Sequence, residues 1–200
     1  MRYTKAKNRL SRREGVDLGL KSKAPKRLEQ LPGAHGAAKK FGKPSEFGQQ
    51  LREKQKAKRF YGLTEKAFRN YYKKASAGRH ATGVTLLTTL ERRFDNVIYR
   101  AGFALTRAQA RQMVNHRVYL VNGKRMDIPS YIVKEGDVVT VKERFLDHPV
   151  LIEMANRKTK SVDWLAADVS KKTITVSRLP EEADAEKLIN IQAIIEFYSR

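Results

Sequence analysis

Charge constrains this chain more than any other property of its sequence. Its 42 Lys and Arg face only 21 Asp and Glu, a formal net of +21. A compact fold with such an excess repels itself. The excess is also uneven. Residues 1–80 hold 23 basic and 6 acidic residues, residues 81–160 hold 14 and 8, and residues 161–200 hold 5 and 7, so the net charge runs +17, +6, −2. The N-terminal part therefore needs a polyanion, which lowers the repulsion by giving up its counterions. Nucleic acid is the first partner this implies, and an anionic membrane surface the second. The remainder must do something else. Hydrophobic residues make up 40% of the 200, enough for one large packed domain or two small ones.

The chain has no cysteine, which excludes disulfides and thiolate metal sites and fits a reducing compartment. No apolar run approaches the length of a membrane span. Met1-Arg2-Tyr3-Thr4-Lys5 leads into no apolar stretch, so no signal peptide is expected and a cytoplasmic location is.

Residues 1–45 are dense in glycine and proline punctuation and carry few apolar residues. They read as an irregular basic arm with one short helix, ordered fully only on RNA. Residues 46–60 read as a basic helix broken at Gly62. Thr64 then caps a helix to about Ala75, with Leu63 and Phe68 as its hydrophobic staple. Leu86, Leu87, Leu90, Phe94, Val97, Ile98 and Ala101 recur at steps of three and four, predicting one helix over 84–101 that stops at Gly102. Thr106 and Gln109 form a capping box for a helix over 107–115. Val118–Val121, the Asn122-Gly123 turn and Lys124–Met126 predict a hairpin. Val138–Val141 is a further strand, residues 161–179 look β-rich, and an amphipathic helix covers about 184–197.

Arg107, Arg111 and Asn115 share one face of the 107–115 helix, with Arg117 just beyond it and Lys124 and Arg125 at the hairpin tip. Together they suggest a basic ledge whose guanidinium forks suit phosphate oxygens. The plainer alternative is a solvated helix face. In the arm, Arg9, Arg12, Arg13, Lys21, Lys23, Lys26, Arg27, Lys39 and Lys40 are interleaved with few acids. Arg52, Lys54, Lys56, Lys58 and Arg59 continue the series on the next helix. The plainer alternative there is a solubilising tail. Irregular basic arms also follow folded RNA surfaces, whereas no helix-turn-helix or zinc-finger spacing favours DNA. His35, His80, His116 and His148 are isolated, no metal spacing or phosphate-binding glycine loop occurs, and neither an enzyme nor a cofactor is expected. Tyr71, Tyr72 and Trp164 could stack on bases, but packing is the commoner use of such rings.

Larger stretches are specific. Glu91-Arg92-Arg93-Phe94-Asp95-Asn96-Val97-Ile98-Tyr99-Arg100-Ala101-Gly102-Phe103-Ala104, Thr106–Gln112, Val121–Arg125 and Asp127–Ser130 resemble the bacterial small-subunit ribosomal protein four family. So do Leu31–Gly36, Ser45–Lys56 and Ile195–Arg200. The central segment is similar to the α-L RNA-binding module, which also occurs in pseudouridine synthases, tyrosyl-tRNA synthetases and a heat-shock protein. The flanks match the ribosomal family.

The resemblance implies an α+β chain: a mainly helical N-terminal domain completed by the C-terminal helix, with an inserted RNA-binding module of short helices and a small antiparallel sheet. Its parts would be an arm (1–45), a helical domain (46–90 with 184–200), the module (91–155, with Arg93 among its RNA contacts) and a β-rich extension (156–183). It further implies a primary binder of small-subunit (16S) ribosomal RNA that nucleates assembly and influences decoding accuracy. Such a protein would be ribosome-bound, touch small-subunit protein five and lie near the channel by which messenger RNA enters. An RNA-modifying enzyme or a free RNA chaperone using the same module is the alternative. Some family members carry a zinc-binding Cys-x-x-Cys where this chain has Asn8 and Ser11, which implies a metal-free arm held by RNA.

Overall fold

A computed structural model describes residues 3, 5–36, 45–157, 161–168 and 170–200. The chain forms two compact units. One comprises Met1–Thr85 with Glu186–Arg200, the other Leu86–Ala185.

The first unit is helical: α1 (Asn8–Glu14), α2 (Glu46–Phe60), α3 (Glu65–Ser76), the start of α4 (Thr82–Glu91), and α8 (Ile191–Ser199). Ser45 and Thr64 cap α2 and α3, taking the N–H groups of Gly48 and Ala67. The C-terminal helix completes this unit, as the resemblance implies. Phe197 lies 5.6 Å from the Phe47 ring and Tyr198 stacks 4.5 Å from Tyr72. Gln50 donates to Glu196 at 3.0 Å. Gly83 lets α8 approach α4: a Cβ there would sit 3.0 Å from Ile191 and 3.2 Å from Ile195.

The second unit holds the end of α4, then α5 (Phe94–Arg100), α6 (Arg107–Asn115), β1 (Tyr119–Val121), β2 (Lys124–Arg125), β3 (Val138–Val141), α7 (Pro149–Arg157), β4 (Leu165–Asp168) and β5 (Thr173–Val176). The strands form one antiparallel sheet in the order β2-β1-β3-β5-β4. Phe94, Ile98, Tyr119, Trp164 and Ile174 are wholly buried in its core.

Three expectations change. The single helix predicted over 84–101 breaks at Arg92 and Arg93, because residues 129–133 capture the backbone there. Val133 N–H donates to Arg92, Phe94 N–H to Tyr131 and Asp95 N–H to Pro129, while Arg93 turns extended and bridges Ile132. The apolar period survives across the break because both helices face one core. The final helix starts at Ile191, not near 184. Asn190 caps it by taking the Ala193 N–H, and residues 182–184 form a separate 3-10 turn tied by Asp184 to Arg178. The β-rich stretch supplies β4 and β5, which join the module's own sheet through β3. The sequence reading omitted α7, although Pro149 at its first position and the buried pair Leu151 and Met154 are a helical signature.

The hairpin follows its turn signal. Asn122 (φ 49°) and Gly123 (φ 76°) both adopt the left-handed region that a type I′ turn requires. Around Gly123 a side chain would meet nothing within 4 Å, so Gly123→Ala costs only backbone conformation, about 1 kcal/mol. Urea denaturation should show a lower midpoint with an unchanged slope.

Candidate nucleic-acid interface

The arm is built around its own contacts. Ser11 is buried, and its hydroxyl accepts the Leu18 N–H at 3.4 Å, with Leu18 buried beside it. Arg12 donates from Nε to the Gln30 carbonyl at 2.9 Å and from Nη2 to that of Leu31 at 3.0 Å. Glu14, its side chain only 1% exposed, pairs with Arg59 and lies 3.6 Å from Arg52. Burial raises the Glu14 carboxyl above its ordinary value despite these arginines. Protein contacts therefore already shape the arm, where the sequence reading left that task to RNA. Ser11 has no thiol and its hydroxyl is committed to Leu18, so the residues at the Cys-x-x-Cys position do not fit zinc.

These contacts leave a distinct set of cations outside. Arg9, Arg13, Lys21, Lys23, Lys26 and Arg27 are exposed. Asn8, Arg12, Lys21, Lys23 and Lys26 line a shallow hollow of about 470 Å³. Lys39 and Lys40 lie outside the described residues.

The basic residues of α2 are placed differently. Lys54 is buried, donates to Glu65 at 2.9 Å and sits 4.7 Å from the Phe197 ring centre. Lys58 meets the other oxygen of Glu65 at 3.0 Å, and Lys56 pairs with Glu53. Arg52 and Arg59 serve Glu14. These five tie the helical unit together.

In the second unit the ledge is partly sunk. Arg107 is 8% exposed; its Nε donates to Asn96 at 2.8 Å and its guanidinium carbon lies 4.3 Å from the Tyr99 ring centre. Buried Arg93 forks onto Asp95 at 3.0 and 2.7 Å, and Arg111 reaches the same carboxylate at 3.1 Å. Arg111 keeps a quarter of its side chain exposed, so Asp95 aims its guanidinium outward. Asn115, Arg117, Lys124 and Arg125 are exposed. Arg117 and Arg125 meet Asp127 at 3.0 and 3.5 Å. Partial loss of water pushes the Asp127 carboxyl up, but the hydrogen bonds and charges of Arg117 and Arg125 together outweigh it and hold the group below the usual aspartate value. Thr106 takes the Gln109 N–H, while the Gln109 side chain takes the N–H of Leu105, fixing where α6 begins.

The sequence reading missed the carboxylates that organise these cations. Asp95 stands two residues after Arg93 and sixteen before Arg111, a separation over which only the fold brings the groups together. The exposed cations form charged surfaces. Among the described residues no three His, Asp or Glu converge as a metal site, and no helix is long and apolar enough to cross a membrane.

Comparison with known proteins identifies the family. Residues 2–91 match the family described as "Ribosomal protein S4/S9 N-terminal domain", and residues 92–139 match the "S4 domain" family. Similar proteins include "Small ribosomal subunit protein uS4" of Hahella chejuensis, 46% identical over 207 residues. The uS4A protein of Symbiobacterium thermophilum is 48% identical over 208 residues, and the uS4 protein of Xylella fastidiosa 47% over 207. Each alignment covers 100% of this chain and 99% of the relative. These relatives are named as ribosomal proteins, not enzymes. With an arm of exposed cations, a helical unit closed by its C-terminal helix and an S4 module inserted between them, the chain belongs to the uS4 family of small ribosomal subunit proteins.

Proposed function

We propose that this chain is a structural constituent of the small ribosomal subunit that binds 16S ribosomal RNA directly, early in assembly, and works on the ribosome in the cytoplasm. One observation carries the reading. Exposed cations occur in each unit, on the arm and at the end of α6 with its hairpin, in one chain that aligns from end to end with uS4 proteins. Exposed arginine and lysine on irregular backbone suit folded RNA, whose phosphates and shape are accessible where its base edges are not.

The acidic C-terminal region, with a net charge of −2 over residues 161–200, is suited to protein rather than RNA contacts. Small-subunit protein five is the proposed partner. A place near the channel by which messenger RNA enters would give the chain its influence on decoding accuracy.

The test is binding of the purified chain to a transcript of the small-subunit RNA 5′ domain, with a large-subunit fragment of equal length as competitor. The expected result is a salt-sensitive complex that survives excess competitor. Equal binding to both transcripts would reduce the chain to a general polyanion binder.

A further inference from the structure

Three helices of this chain end in the same way, and one of them breaks the usual residue rule. At the end of α2 the Gly62 N–H donates to Arg59 and the Leu63 N–H to Lys58. At the end of α5 the Gly102 N–H donates to Tyr99 and the Phe103 N–H to Ile98. Both are Schellman ends, which require a left-handed residue, and glycine supplies it with φ of 63° and 79°. At the end of α6 the same two bonds form, from the Arg117 N–H to Val114 at 2.8 Å and from the Val118 N–H to Met113 at 3.2 Å. The left-handed position there belongs to Arg117, with φ of 64°. A side chain at such a position is conformationally costly. An outlier of this kind points to a use for the side chain it carries.

The side chain of Arg117 runs to Asp127, which Arg125 also approaches. About half of each arginine remains exposed, 51% and 48%. The chain then returns beside them. Lys142, directly after β3, donates its backbone N–H to the Val118 carbonyl at 2.9 Å, next to Arg117. Two residues on, exposed Arg144 lies with its guanidinium carbon 4.5 Å from the Phe145 ring centre, an arrangement that steadies a guanidinium fork. Partial loss of water lowers the proton affinity of Lys142, Arg125, Arg144 and Arg117 lower it further, and Asp127 opposes them. Four cations thus gather at one end of the β2-β1-β3 part of the sheet, with Asp127 bonded to two of them and Glu143 exposed between the other two. Their mutual repulsion is relieved when an anion enters.

We propose that Arg117, Arg125, Lys142 and Arg144 form a clamp for a backbone phosphate of RNA, and that Arg117 occupies a glycine-type position for the sake of that contact. The proposal rests on the RNA-binding reading above and adds a site to it. The ligand chemistry is a phosphodiester rather than a base edge, because every group in the clamp is a cationic donor and forked guanidinium groups match phosphate oxygens.

The test uses the full chain and the transcribed small-subunit RNA 5′ domain, with affinity measured over a series of KCl concentrations. Arg117→Gly should leave thermal stability equal or higher, since glycine suits the position. It should nevertheless weaken RNA binding several-fold and make the log–log salt slope shallower by about one contact, roughly 0.7 to 0.9. Lys142→Gln with Arg144→Gln should make it shallower by about two contacts, with the fold retained by circular dichroism. Wild-type affinity and slope in both variants would overturn the clamp while leaving the RNA-binding reading intact. So would a stability loss in Arg117→Gly, which would give the arginine a structural role. Failure of the wild-type chain to bind the transcript would instead overturn the reading beneath it.

Discussion

Changing Lys21, Lys23, Lys26 and Arg27 together to glutamine is expected to weaken binding to small-subunit RNA on the order of a hundredfold at moderate salt. It should also make the salt slope shallower by roughly three, since each lost phosphate contact removes about 0.7 to 0.9. These four side chains are exposed, and three of them line the hollow of the arm. The groups that shape the arm are left in place: Ser11 on Leu18, Arg12 on the carbonyls of residues 30 and 31, and Glu14 on Arg59. The variant therefore separates charge from architecture. Deleting the arm outright should weaken binding too, but it would also strip Arg52 and Arg59 of their carboxylate. Filter binding over a salt series reads both effects. Unchanged slope in the quadruple variant would place the arm's charge off the RNA.

The second large effect concerns stability. Asp95→Ala is expected to destabilise the second unit by about 3–5 kcal/mol, because it leaves the Arg93 charge buried without its carboxylate. Arg93 is 2% exposed and gives Asp95 two hydrogen bonds. The same substitution releases Arg111, so RNA affinity should fall as well. Asp95→Asn keeps the shape and should fall between the variant and the parent. Equilibrium denaturation in urea measures the loss. A change below about 1 kcal/mol would mean that solvent reaches Arg93 and compensates for the missing partner.

Much of this was legible before the fold was known, and the reasons differ by element. Asn122-Gly123 specified its hairpin because only certain residues tolerate two consecutive left-handed positions. Thr64 marked its helix start because a hydroxyl at that point satisfies an otherwise unpaired N–H. The break at Arg93 was not legible. A helix stripe continues in register through it, and the backbone groups that end α4 are captured by Tyr131 and Val133, about forty residues away.

The candidate interface divides along the same line. Composition located the excess charge in the arm, where Arg9, Arg13, Lys21, Lys23, Lys26 and Arg27 are exposed. The fate of each cation in α2 and α6 depended on distant carboxylates. Lys54 turned inward because Glu65 and Phe197 meet it, and Arg107 because Asn96 and Tyr99 do. By spacing alone Arg117 is one more basic residue past a helix end. Its interest lies in its φ, which sequence spacing does not report.

The central claim is that this chain is a working part of the small ribosomal subunit. Its most direct test is sedimentation of the tagged chain from its own cells through a sucrose gradient after a moderate salt wash. The chain should migrate with small subunits and with whole ribosomes, in a fixed ratio to small-subunit RNA. Recovery at the top of the gradient, away from both, would contradict the account.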